Sequence, residues 1–170
     1  GAVANSTTVD HGLMYISSGG VANDTMINDF GLMYISSGGV ANEITLNNYG
    51  RTYISSGGVV NSAIVNNTGS MHISSGGVAT IVFNPWQGTI CSSSGAAVTY
   101  LERDANIYYG NMEDGLTSRA DSFTDFTVES GYNMIVYNSG EASHITIDSA
   151  GSLTISSGGN ATNTQITTGA

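Results

Sequence analysis

The sequence predicts an all-β fold, a right-handed parallel β-helix (solenoid) of coils about 19 residues long with an irregular insertion in the middle. Three observations carry that prediction. The string Ile-Ser-Ser-Gly-Gly occurs five times, beginning at Ile16, Ile35, Ile54, Ile73 and Ile155, and the first four copies fall at one constant interval. A second series of glycines, Gly31, Gly50, Gly69 and Gly88, keeps the same interval. Between them lie segments too short for helices, rich in β-branched residues and alternating in polarity. A fixed period of this length marks stacked supersecondary units rather than an ordinary globular fold.

The second copy shows each element in order. Leu32 to Ile35 reads as a short strand, Ser36 to Gly39 as a corner, Val40 to Leu46 as a second strand, and Asn47 to Gly50 as a turn. Paired glycines permit the backbone angles a sharp corner needs, and Asn tolerates the left-handed conformations of the turn. Alternation points Met33 and Ile35 inward with Tyr34 outward, and Ile44 and Leu46 inward with Thr45 outward. The same logic buries Met14, Ile16, Met71 and Ile73. Stacked one per turn at about 4.8 Å, about nine coils align identical residues into ladders. Ile16, Ile35, Ile54 and Ile73 form an aliphatic ladder, and Asn28, Asn47 and Asn66 an amide ladder that Pro85 interrupts. The six-residue sub-period of left-handed hexapeptide coils is absent, which favours the right-handed form.

The pattern divides one continuous domain into three stretches: regular coils over 1–96, an irregular insertion over 97–130, and resumed coils over 131–170. Ser92 replaces the inward Ile as the array weakens after Gly88, and the separation of Ile73 from Ile155 is not a whole number of periods. A loop or small hairpin projecting around Tyr100 to Asp121 accounts for the break. The chain starts within a repeat and stops just after one, at Thr168-Gly169-Ala170, which reads as a fragment of a longer protein.

Composition excludes several functions. With 13 acids, three arginines, no lysine and a net charge of −10, the chain repels nucleic acid and anionic lipid. Nothing resembles a transmembrane span, so no membrane insertion by this segment is expected. Cys91, the single cysteine, falls at the position of Tyr15, Tyr34, Tyr53 and His72 and reads as an incidental substitution. His11, His72 and His144 lack metal-ligand spacing, no nucleophile–base set is suggested, and a phosphate loop needs a lysine this chain lacks. No cofactor, metal or catalytic residue is therefore expected. The insertion concentrates charge: Glu102, Asp104, Glu113, Asp114, Asp121, Asp125 and Glu129, with Arg103 and Arg119. Glycoside hydrolysis or calcium binding would use such carboxylates, but their spacing matches no calcium motif and a solvated loop is the reading the sequence favours.

The unit Ile-Ser-Ser-Gly-Gly-Val-Ala-Asn-x-Thr-x-x-Asn-x-x-Gly, clearest from Ile16 to Gly31, resembles the AIDA-type repeat of passenger domains in self-associating autotransporter adhesins, the AIDA and TibA group of Gram-negative bacteria. The resemblance is close over Val3 to Gly88 and weaker over Gly131 to Gly169. It implies a right-handed β-helix at the bacterial cell surface, anchored in the outer membrane or secreted, acting in autoaggregation, host-cell adhesion and biofilm formation. It also implies O-linked heptose on repeat serines, added by a heptosyltransferase. Carried onto this sequence, the acceptor candidates are Ser17, Ser18, Ser36, Ser37, Ser55, Ser56, Ser74, Ser75, Ser156 and Ser157. The implied partners are identical passengers on neighbouring cells and host surfaces or glycans.

Tyr15, Tyr34 and Tyr53, continued by His72, form an expected outward column. Such a column can stack on sugars, pack against another rod, or only stabilise the coil. The expected function is a non-enzymatic surface adhesin. A β-helical carbohydrate-binding or carbohydrate-cleaving protein, and a purely structural surface or phage repeat, are the alternatives.

Overall fold

Each repeat forms one coil of a parallel β-solenoid, in a computed structural model that describes residues 1–167. The end of the last expected stretch, Thr168-Gly169-Ala170, lies outside the described residues. The chain divides into two units, the first Gly1–Glu102 and the second beginning at Arg103.

In the first unit long and short strands alternate. They are β1 (Val3–Asp10), β2 (Leu13–Ile16), β3 (Val21–Asn28), β4 (Leu32–Ile35), β5 (Val40–Leu46), β6 (Arg51–Ile54), β7 (Val59–Val65) and β8 (Ser70–Ile73). β9 (Val78–Ile81), β10 (Thr89–Ser92) and β11 (Ala97–Tyr100) complete it. The odd-numbered strands pair in sequence order into one sheet, and the even-numbered strands into another. Partners stand one repeat apart, as from β4 to β6, where Leu32 lies on Arg51 through Ile35 on Ile54.

Local chemistry sets the corners. Gly39 N donates to Ser36 O at 2.9 Å, closing a β-turn whose third residue, Gly38, has φ +75°. Gly50 N donates to Asn47 O at 2.6 Å, with Asn48 and Tyr49 at φ 42° and 63°, the double left-handed pattern of a type I′ turn. Gly50 itself answers to a close approach, since a Cβ there would lie 2.1 Å from Ile27 O of the preceding coil. A third bend lies inside the long strand. Asp24 and Glu43 take φ 51° and 55°, so the buried residues of β5 are Ala41, Ile44 and Leu46 rather than a strict alternation.

The core follows the expected ladders. Ile16, Ile35, Ile54, Ile73, Met33, Met71, Ile44 and Leu46 are buried, while Met14 is half-buried against them. The amide ladder runs further than the sequence predicts. Asn47 Nδ2 donates to Asn28 Oδ1 at 3.1 Å, Asn66 donates to Asn47, and Asn84 donates to Asn66 at 2.7 Å. Asn84, one residue ahead of Pro85, supplies the rung that the proline position cannot. A second, outer ladder joins Asn5, Asn23, Asn42 and Asn61 at 2.7–2.8 Å.

The second unit contains β12 (Ile107–Asn111), β13 (Gly115–Ala120), β14 (Ser122–Val128), β15 (Asn133–Val136), β16 (Glu141–Ile147), β17 (Ser152–Ile155), β18 (Asn160–Thr162) and β19 (Gln165–Ile166). β12 and β13 form an antiparallel hairpin, and β12 also runs antiparallel to β15. β15 pairs parallel with β17, and β16 pairs parallel with β14, β18 and β19. Strands β11 and β14 both lie within the stretch expected to be irregular, and both keep the one-repeat offset, Ala97 on Val78 and Ser122 on Glu141. What departs from the coil pattern is the shorter stretch 101–121, which holds the hairpin.

Candidate interaction surfaces

The corner serines stand where the repeat places them. Nine of the ten are exposed and Ser156 is half-buried. Among the described residues none of their hydroxyls has a hydrogen-bond partner, although local serine–backbone bonds are common in turns. The second serine of a pair leans over the next coil's glycine: a Cβ on Gly57 would sit 2.6 Å from Ser37 Oγ, and one on Gly76 2.5 Å from Ser56 Oγ. Those glycines, at φ +76°, thus leave room beside the hydroxyls.

The strand column stacks ring on ring. Tyr15 and Tyr34 are 5.2 Å apart at 14°, Tyr34 and Tyr53 5.1 Å at 11°, and Tyr53 and His72 4.9 Å at 11°. Each inner ring covers its neighbour's face, so the column presents hydroxyls and ring edges outward. Cys91 pairs opposite His72 and is exposed.

A second aromatic column went unread in the sequence. His11, Phe30 and Tyr49 occupy the same turn position in successive coils, with φ 50°, 62° and 63°. Phe30 and Tyr49 stack at 5.0 Å and 5°, and His11 lies 6.2 Å from Phe30 at 42°. Phe30 is 58% exposed and Tyr49 51%. The signal was there, three aromatic or imidazole residues each one repeat apart, but Asn and Gly had already accounted for the turn. Holding a bulky residue left-handed costs about 1–2 kcal/mol. An aromatic pair returns about 0.5–1.5 kcal/mol. Phe30 and Tyr49 together cost about 2–4 kcal/mol, more than their one stacked pair returns, so the column is not there for the fold. In the second unit the equivalent positions are Gly131 at φ 80° and Ala150 at φ 61°, residues with little or no side chain to strain.

The acids of the insertion mostly bolt the hairpin in place. Asp104 pairs with Arg119 at 2.8 Å and accepts from the Tyr108 hydroxyl at 3.1 Å. Asp121 accepts from Asn106 N at 3.2 Å, and Asp114 accepts from the Tyr132 hydroxyl. Asn111 Oδ1 receives the backbone N–H groups of Glu113 and Asp114 at 2.9 and 2.5 Å, fixing the hairpin turn. Burial pushes the Tyr108 phenol up, and the hydrogen bond to Asp114 pushes Tyr132 up to about 12. Arg103 lies 4.2 Å over the Tyr137 ring. Asp125, expected with this cluster, instead stands beside His144 at 4.0 Å, both exposed. Among the described residues no group of three or more His, Cys, Asp or Glu side chains could hold a metal ion.

No family model matches the sequence, and no curated relative matches it. Among solved structures the chain is similar to the crystal structure of a TibC-catalysed hyper-glycosylated TibA fragment, at 23% identity over 99% of this chain and 95% of that one, with a TM-score of 0.45.

Proposed function

We propose that this chain is an adhesive module of a bacterial autotransporter passenger, displayed at the cell surface or secreted, which associates with identical passengers on neighbouring cells and with host surfaces or glycans. The observation that carries the reading is the ladder geometry. Residues at one repeat position stack coil upon coil, so each weak contact is offered many times at one spacing, and multivalency converts weak contacts into firm adhesion. The AIDA-type repeat unit supports the same role. The role is non-enzymatic: Asp104, Asp114 and Asp121, which a hydrolytic site would need free, hold the hairpin instead.

The exposed, unpartnered corner hydroxyls further support O-linked heptose, placed by a heptosyltransferase on Ser17, Ser18, Ser36, Ser37, Ser55, Ser56, Ser74, Ser75, Ser156 and Ser157. Intact mass of the chain, made with and without such an enzyme, tests this. A series of heptose-sized additions mapping to these serines is expected; an unshifted mass removes the modification and leaves the adhesive role to bare protein. The role itself is tested by settling of cells displaying the full-length protein. Clumping that depends on display is expected, and cells that stay dispersed would contradict self-association.

A further inference from the structure

We propose that the aromatic face of the first unit, between the turn column and the strand column, is the surface on which a second copy of this chain packs. The inference rests on the self-association reading above and assigns it to one face. Phe30 and Tyr49 are left-handed, aromatic and more than half exposed at a turn position where the second unit uses Gly131 and Ala150. The turn therefore does not require rings, and rings held outward at a strained position point to a contact outside the chain.

The surface around them is continuous. Beside them, Leu32 and Tyr34 alternate outward on β4, half-buried within the stack. With aromatic side chains of about 150–250 Å² each, Phe30 and Tyr49 together expose on the order of 200 Å². The patch ends by the fourth coil, where Thr68 and Ser70 take over.

Charge and spacing select the occupant. The chain carries −10, yet exposed Arg51 stands two residues beyond Tyr49, opposite in sign to Asp10 and Asp29 of the neighbouring turns. Two acidic copies meet with least repulsion there. Their ladders also share one spacing of about 4.8 Å, so a contact made at one rung repeats at the next. A sugar ring needs an open aromatic face, and in these columns neighbouring rings at 5.0–5.2 Å cover the inner faces.

Sedimentation velocity of the whole chain over a concentration series, with urea unfolding in parallel, tests the assignment on wild type, Phe30→Asn/Tyr49→Asn and Arg51→Glu. Asn tolerates the left-handed turn, so the double variant is expected to keep or raise its unfolding midpoint while association weakens at least about tenfold. Arg51→Glu, at an exposed site, is expected to weaken association as well and to leave folding intact. If both variants associate like wild type, the face is wrong and self-association stands. If wild type stays monomeric at every concentration, the self-association reading falls and the face with it. Should the double variant fail to fold, Arg51→Glu decides alone.

Discussion

The two units use aromatic residues in opposite ways. In the first, Tyr15, Tyr34, Tyr53, Phe30 and Tyr49 stand in outward columns, their stacked neighbours inclined by only 14°, 11° and 5°. In the second, Tyr109, Phe123, Phe126 and Tyr132 pack onto the core, with Phe126 edge-on to Tyr109 at 79° and to Phe123 at 70°. Tyr108, on hairpin strand β12, is fully buried. The contrast teaches that coil stacking alone supports the regular unit, whose core is built from Ile, Met, Val, Leu and Ala. The hairpin unit breaks the ladder and needs large rings to fill the space. The aromatic columns of the first unit, unlike its buried Trp86, are therefore available for display, whereas these rings of the second are structural.

The largest effect expected from this comparison lies at the turn glycines. Gly50→Ala brings a Cβ within 2.1 Å of a backbone oxygen and should lower stability by about 3 kcal/mol or more in urea unfolding. Gly131→Ala in the second unit meets nothing within 4 Å and strains only its φ of +80°, so a loss of about 1 kcal/mol is expected. Equal losses would show that the coil-to-coil approach is not what fixes the first glycine.

Tyr132→Phe comes next. It removes the hydrogen bond that ties the hairpin turn to the turn before β15 and should cost about 1–2 kcal/mol. The same bond gives a pH signature. A phenol raised to about 12 from an unfolded value near 10 adds stability below pH 10 and loses it as the pH climbs through that interval. Wild type should therefore lose stability between about pH 10 and 12 more steeply than Tyr132→Phe does. Parallel pH profiles would break the assignment.

Asn42→Ala in the first unit should cost about 1–2 kcal/mol, because it removes one bond to Asn23 and one from Asn61 in an exposed ladder. The smallest effect is expected from Ala150→Tyr, which carries the first unit's display residue into the second unit's turn. The loss should be about 1 kcal/mol in urea unfolding, since the new ring gains strain without a stacking partner in the preceding coil, where Gly131 stands.

Much of the first unit was legible because its repeat is nearly perfect. The ladder of Ile16, Ile35, Ile54 and Ile73, the Ser-Ser-Gly-Gly corner and the Asn turn each follow from residue type at a fixed interval. The bend at Asp24 and Glu43 was not legible, since an acidic residue within a strand carries no sign of its φ until the burial of Ala41 and Ile44 shows the skipped step. Asn84 escaped because strict counting points to Pro85, and one residue of slack restores the ladder. In the second unit β14 was hidden because its coil partner β16 comes later, with the antiparallel hairpin just before it, so local periodicity has no earlier copy to match. Of the candidate surfaces, the corner serines and the Tyr15 column were readable. The Phe30–Tyr49 column was not, because its meaning depends on backbone angles and exposure together.

The central claim is that Phe30 and Tyr49 are held outward for contact and not for the fold, and the unfolding free energy of Phe30→Asn/Tyr49→Asn tests it most directly. Relief of strain at two residues exceeds the loss of one stacked pair, so the account predicts a stability equal to or above that of wild type. A loss of about 2 kcal/mol or more would contradict it, and would make the column part of what holds the coils together.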